Sequence, residues 1–300
     1  DEDNYFTPNN YQPETLGFLR GLEQGVFSHY AKNSFVIPDR KLNLNFSHYY
    51  STQLVELPQS YFPIQPLGRG WTHTYNSYIT RVEDAVGNDD YYYIKWADGT
   101  IHIYNDNENE YITKGVYDEL NEFDSGDNIE ITTKNQMHYL FERLDNSEEI
   151  FYLYRIEDNN GNQINIGYET SEVDNDFERI EWVEAPSGKR LEFDYFLNSD
   201  RIREIVDPIG RDIQFTYDDG RLKRFYDAKG QDTRYYYLAH DEDDPTEHEY
   251  KQFLLKRVRL PEGNSIRAEY DEDDDGKLTE YQINDNSPLN LEINFLFFLC

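Results

Sequence analysis

The chain has 300 residues, with 28 Lys plus Arg against 60 Asp plus Glu, a formal net charge of −32, and 27 Tyr, 18 Phe and 3 Trp. Such a charge repels phosphate backbones and anionic bilayers, which argues against nucleic-acid binding, while the aromatic supply argues against disorder. The single cysteine, Cys300, excludes an internal disulfide and a thiolate metal cluster, and no apolar run approaches the ~20 residues of a membrane-spanning helix.

Residues 1–32 read as an irregular, polar amino-terminal segment whose only helix candidate, Glu14 to Tyr30, is weakened by Gly17, Gly21 and Gly25. The chain begins at Asp1 without a leader-like segment, which is expected of a processed piece. From Asn33 to about residue 148, strand signals dominate: SFVIPD, LNLNFSHYY, YNSYITRVED, YYYIKW and TIHIYND. Loops between them are rich in Asn, Asp, Gly and Glu. Strands without long helical patterns between them predict an all-β fold. A soft boundary near 145–150 separates this region from the carboxy-terminal half of the chain.

Residues 149–285 repeat one pattern five times. The glycines are Gly161, Gly188, Gly210, Gly230 and Gly263, and a tyrosine stands seven positions after each, at Tyr168, Tyr195, Tyr217, Tyr237 and Tyr270. Eight positions before each glycine stand Leu153, Ile180, Ile202, Leu222 and Leu255; five before stand Ile156, Val183, Ile205, Phe225 and Val258. Fixed spacing inside a unit, with variable distance between units, marks a repeat architecture. After each glycine the apolar positions alternate, as in Ile164, Ile166 and Tyr168, which reads as a strand with one buried face. Before it the apolar pair is three apart, so either a bulge intervenes or both faces are covered. Turn residues such as Asp207-Pro208-Ile209-Gly210 join the two strands. Each unit is therefore predicted to be an antiparallel β-hairpin, stabilised by its neighbours in a continuous curved ribbon. The tyrosines are expected to stack between neighbouring hairpins, with a sugar-binding surface as the other reading. A degraded sixth unit is expected from Leu278, and LEINFLFFLC (291–300), within the closing segment 286–300, reads as an apolar strand.

These residues resemble the Rhs/YD-repeat family. The fourth unit, YDDGRLKRFYDAKGQDTRYYY (217–237), carries the likeness best, and the Tyr-Asp dipeptide stands at Tyr217-Asp218 and Tyr270-Asp271. The other units end Tyr168-Glu169, Tyr195-Phe196 and Tyr237-Leu238. Upstream, PLGRGWTHTYNSYI (66–79) is similar to the glycine-tryptophan-serine-histidine segment that opens Rhs cores. LNLNFSHYYST (42–52) and WADGTIHIY (96–104) flank it in the family's order. The resemblance covers about residues 33 to 285. It implies a partial Rhs-type β-shell, a ribbon wound around a polypeptide cargo, as in bacterial polymorphic toxins, insecticidal toxin complexes and the animal teneurins. Five hairpins cannot close around a cargo on strand dimensions. The chain is thus expected to be the opening segment of a longer protein or a short member with another use.

No constellation names an active site, and the chain is expected not to be an enzyme. Asp271, Asp273 and Asp275 place oxygens at alternate positions before Gly276, as calcium loops do, but Gln282 stands where a bidentate glutamate belongs. Calcium is therefore a candidate ligand against an extended acidic turn, and no other cofactor is expected. Asp207-Pro208-Ile209-Gly210 is similar to the self-cleavage motif of complete Rhs cores, yet it falls at an ordinary repeat turn. The seven histidines show no metal spacing, and His73 reads as a packed core residue. The expected function is a structural segment of a shell that encloses or delivers a toxin-type cargo, its partners being that cargo or further repeats. The alternative is a secreted or cell-surface adhesion module that binds glycan, calcium or a partner protein.

Overall fold

A computed structural model describes residues 27–39, 41–83, 90–144, 149–175, 177–238, 249–270 and 278–284. The fold is all-β and antiparallel. A three-stranded sheet comes first: β1 (Ser28–Ile37), β2 (Leu44–Ser51) and β3 (Trp71–His73), in that order, with a one-turn helix α1 (Thr52–Glu56) after β2. Strand β1 starts inside the segment read as irregular or helical. The reason is burial: Phe27 and His29 pack into the aromatic core, which outweighs a weak helical preference.

The second sheet forks at β11 (Ile150–Glu157). One edge of β11 pairs with β10 (His138–Arg143), which continues through β9 (Asn128–Thr132) to β8 (Glu119–Phe123). On the other edge, Ile150–Tyr152 pairs with β4 (Tyr78–Glu83) and Arg155–Glu157 with β12 (Gln163–Thr170). From β4 an arm runs through β5 (Asp90–Lys95), β6 (Ile101–Asn105) and β7 (Glu110–Tyr111). From β12 the repeat wall begins.

The wall is a ladder of hairpins in which every strand pairs with the next. Units one to five are β11/β12, β13 (Glu178–Glu184)/β14 (Arg190–Tyr195), β15 (Ile202–Val206)/β16 (Asp212–Asp218), β17 (Arg221–Tyr226)/β18 (Asp232–Tyr237) and β19 (Leu255–Arg259)/β20 (Ser265–Tyr270). Strand β21 (Leu278–Asn284) continues the ladder from β20, at the expected start of the degraded sixth unit. At each turn the glycine N–H donates to the carbonyl three residues back, as from Gly210 to Asp207 at 3.0 Å. Gly210 has φ +80, and a Cβ there would meet nothing within 4 Å, so conformation rather than space demands glycine. Asp158, Asp207 and Asp227 each accept two backbone N–H bonds across their turns, which pins the loop from inside.

The three-residue spacing is resolved by a bulge. Where units meet, Gly167 faces Trp182 but Tyr168 faces Ile180, and the register skips Glu181. The same slip recurs before Tyr195, Tyr217, Tyr237 and Tyr270. One extra residue turns both apolar positions to the same face. Ile180 and Val183, Ile202 and Ile205, and Leu222 and Phe225 are all buried.

Candidate functional site

The wall's inner face and the sheet seated on it form the candidate site. In each hairpin the backbone ladder spans three residue pairs beside the turn, such as Trp182–Glu192 to Glu184–Arg190, and then the strands part. The repeat tyrosine closes that gap. Tyr168 donates to the Leu153 carbonyl at 2.9 Å, Tyr195 to Ile180 at 2.8 Å, Tyr217 to Ile202 at 2.9 Å, Tyr237 to Leu222 at 2.7 Å and Tyr270 to Leu255 at 2.8 Å. Acceptor and donor are the first and last positions of the repeat, so the fifteen-residue span in the sequence is a hydrogen bond. Burial raises the pKa of all five phenols, which keeps the donor proton in place. Stacking is part of the tyrosines' role, as in Phe196 against Tyr217 at 5.8 Å, but the hydroxyl contact inside the hairpin is the constant feature.

The concave face of units two to five is covered by the chain's own β1–β3 sheet. Alternate residues of β2 point at it. Phe46 meets Phe193 and Phe215, His48 meets Phe225 at 4.7 Å and bonds Tyr235 Oη at 2.8 Å, and Tyr50 donates to the Phe253 carbonyl at 2.8 Å. From β3, Trp71 packs on Tyr235 at 4.6 Å and donates from Nε1 to Tyr237 Oη at 2.9 Å. The loop after α1 adds further bonds, with Ile202 N–H donating to the Pro66 carbonyl at 2.9 Å and the Arg201 guanidinium donating to the Gln65 carbonyl. Sheet and wall therefore belong to one continuous hydrophobic core.

Each strand of the inner sheet puts one imidazole into this core. Burial lowers His29 to about 4 and His73 to about 3, the latter helped by Lys95, and takes His48 well below the ordinary range. They are uncharged rings at neutral pH. Lys95, bonded to Thr72 Oγ1 and the Asn76 carbonyl at 2.7 Å each, is itself lowered by burial to about 7. A cavity of about 410 Å³ remains at the seam between residues 63–78 and the open ends of the first hairpins. Tyr75, Tyr168 and Tyr195 line it with Arg179, which stacks on Tyr195 at 4.5 Å and bonds Glu169 at 2.8 Å. That volume accommodates a few side chains or a small molecule rather than a folded polypeptide.

His73 is a buried core residue that accepts a 3.3 Å bond from the Tyr75 N–H at Nδ1. Asp207 serves its turn: burial pushes its carboxyl up, but the Arg211 and Ile209 amides and the Arg211 guanidinium outweigh this and hold it low. Asp271, Asp273 and Asp275 lie outside the described residues, whereas Gln282 stands in β21 opposite Arg267. Among the described residues no group of three His, Cys, Asp or Glu side chains is placed to hold a metal. The inward row of the amino-terminal sheet was missed in the sequence, although Leu42, Leu44 and Phe46 alternate with Asn43, Asn45 and Ser47 at its start.

No protein-family model matches the chain, and no curated protein matches it. Among solved structures it is similar to a chain of the TcdB2-TccC3-Cdc42 crystal structure at 12% identity, covering 86% of this chain and 15% of that one, with a TM-score of 0.39. The Photorhabdus luminescens Tc holotoxin pore gives 11% identity, the same two coverages and a TM-score of 0.39. The N-terminal domain of effector protein SpvB from Salmonella typhimurium strain LT2 gives 10% identity over 88% of this chain and 99% of that one, with a TM-score of 0.25. The chain thus spans about 15% of the length of the first two of these chains. With every TM-score below 0.5, what this chain does must be read from its own geometry.

Proposed function

We propose that the chain is a non-enzymatic wall segment of an Rhs/YD-type shell, in which the hairpins are structural and the amino-terminal sheet fills the first part of the interior. One observation carries this: five hairpins with the same hydroxyl closure turn one face onto a shared core whose other half is the chain's own β1–β3. The groups that would otherwise suggest chemistry are engaged in packing. The imidazoles of His29, His48 and His73 are neutral and buried, and the carboxylate of Asp207 is spent on its turn. A cargo would lie beyond this filled stretch, behind further repeats. Secretion or display at a cell surface fits such a role.

The coding region and protease protection test this together. Many more repeats after Cys300, leading to an unrelated segment that resists protease only while the wall is intact, are the expected result. A coding region that stops at Cys300 overturns the shell reading.

A further inference from the structure

Where the strands of units one to three part, their open ends and residues 63–78 enclose the cavity of about 410 Å³, near the lower end of the ~300–1,000 Å³ usual for ligand pockets. Its body is aromatic, with Tyr75, Tyr78, Tyr152, Tyr168, Phe177 and Tyr195 on the walls. Tyr152 and Tyr168 meet edge to face at 5.3 Å. Burial raises the pKa of all five phenols, so the rings line the cavity uncharged. Val173, 54% exposed, stands at the rim.

The polar groups of this chamber are incompletely used. The Oη atoms of Tyr75 and Tyr78 are buried without a full hydrogen bond, with only looser approaches to the backbone at Asn45 and Ile64. Arg179 donates from Nε to Glu169 at 2.8 Å, but its buried Nη1 makes no hydrogen bond, Asp200 Oδ1 standing 3.6 Å away. Arg201 donates to the Gln65 carbonyl and, among the described residues, forms no ion pair. Burial lowers its pKa more than Tyr217 and Asp200 raise it, the mark of a desolvated cation. On the acidic side, Asp200 accepts at Oδ1 from Ser171 at 2.7 Å, and Glu178 accepts from Thr170 at 3.1 Å. Two cations and two anions thus line one aromatic chamber.

We propose that this cavity binds a free aromatic amino acid as its zwitterion. Its carboxylate lies on Arg201 and Arg179 Nη1, its ammonium towards Asp200, and its ring among the tyrosines. A simple anion would meet Asp200 and Glu178, and a simple cation would meet Arg179 and Arg201. A zwitterion offers each side its complement. Guanidinium groups present forked donors suited to a carboxylate, and a desolvated cation without a partner gains most from one. The aromatic walls favour a ring, which packs edge to face or offset against them and displaces water that apolar surfaces hold loosely. A metal ion is a poorer occupant, since among the described residues no three ligating side chains converge. This goes beyond the wall reading and does not depend on it.

The test is calorimetric titration of the full 300-residue chain with L-phenylalanine, phenylpropionate, phenethylamine and L-alanine, which removes the ammonium, the carboxylate and the ring in turn. Saturable binding of phenylalanine at one site per chain is expected. Each of the other three should bind about tenfold more weakly or worse, as loss of a charge-assisted contact or of ring burial implies. Arg201→Gln should weaken phenylalanine and phenylpropionate about tenfold and leave phenethylamine unchanged, a pattern that unfolding does not produce. Val173→Trp fills the rim from an exposed position, so it should block phenylalanine while the melting midpoint stays at that of the parent. That variant decides the matter even if Arg201→Gln fails to fold. Absence of phenylalanine binding, an equal affinity for any of the three truncated ligands, or indifference to the rim variant overturns the proposal.

Discussion

The repeat wall and the amino-terminal sheet share one core but satisfy their buried polar groups over different distances. In the wall, each repeat tyrosine finds its acceptor fifteen residues back, inside its own hairpin. In the inner sheet, the partners lie far along the chain: 166 residues from Trp71 to Tyr237, 187 from His48 to Tyr235 and 203 from Tyr50 to Phe253. Local closure can be copied from unit to unit, so it leaves a repeat in the sequence. Closure across the core is made once, and leaves none. The wall is thus a set of separately closed hairpins, and the inner sheet is what joins units two to five into one body.

Substitutions in the joining element should therefore cost most. Trp71→Ala removes a ring packed on Tyr235 and the donor to Tyr237, and is expected to lower stability by about 3–5 kcal/mol. Urea unfolding measures it. A loss below that of a single hairpin closure would mean that the inner sheet is a passenger.

Acid should reveal the same dependence. His29 and His73 are lowered in the folded chain, to about 4 and about 3, from an ordinary value of 6.5. The unfolded chain therefore binds protons first as pH falls, and stability rises with pH through this window. Their contribution is complete above 6.5 and lost progressively towards 3, worth about 3 kcal/mol for His29 alone. Lys95, lowered from 10.5 to about 7, adds a slope of the same sign between those values. Unfolding midpoints against pH check this, and His29→Phe should flatten the acid limb between 6.5 and 4. A curve unchanged by that substitution would place the imidazole outside the core.

In the wall, the expected effects are smaller and repeat from unit to unit. Tyr195→Phe leaves the Ile180 carbonyl without its 2.8 Å donor and should cost about 1–2 kcal/mol. Tyr217→Phe should cost about the same and Tyr237→Phe more, because Trp71 Nε1 also loses its acceptor there; thermal melts compare the set. Gly210→Ala, at φ +80 with open space around it, should cost about 1 kcal/mol for its left-handed backbone alone. Gly188→Ala, at φ +81, should match it in the same melts.

Much of the wall was legible because its determinants are local. Glycine at a positive-φ turn, period two after it and the doubled-back spacing before it are each set within a few residues. The spacing of three offered a bulge or two covered faces, and only the paired register chose the bulge. The tyrosine position was legible, but its acceptor was not, because a hydroxyl target depends on where the strands part. The occupant of the concave face could not be read at all. Alternation at Leu42, Leu44 and Phe46 signals a buried face without naming what buries it.

The central claim is that the inner sheet and the wall unfold as one body. Urea unfolding of the full chain, tracked at once by protease cleavage within β1–β3 and by near-ultraviolet circular dichroism of the buried aromatic rings, tests it directly. Coincident midpoints with equal slopes are predicted. Release of β1–β3 at lower urea, while the wall keeps its aromatic signal, would contradict it.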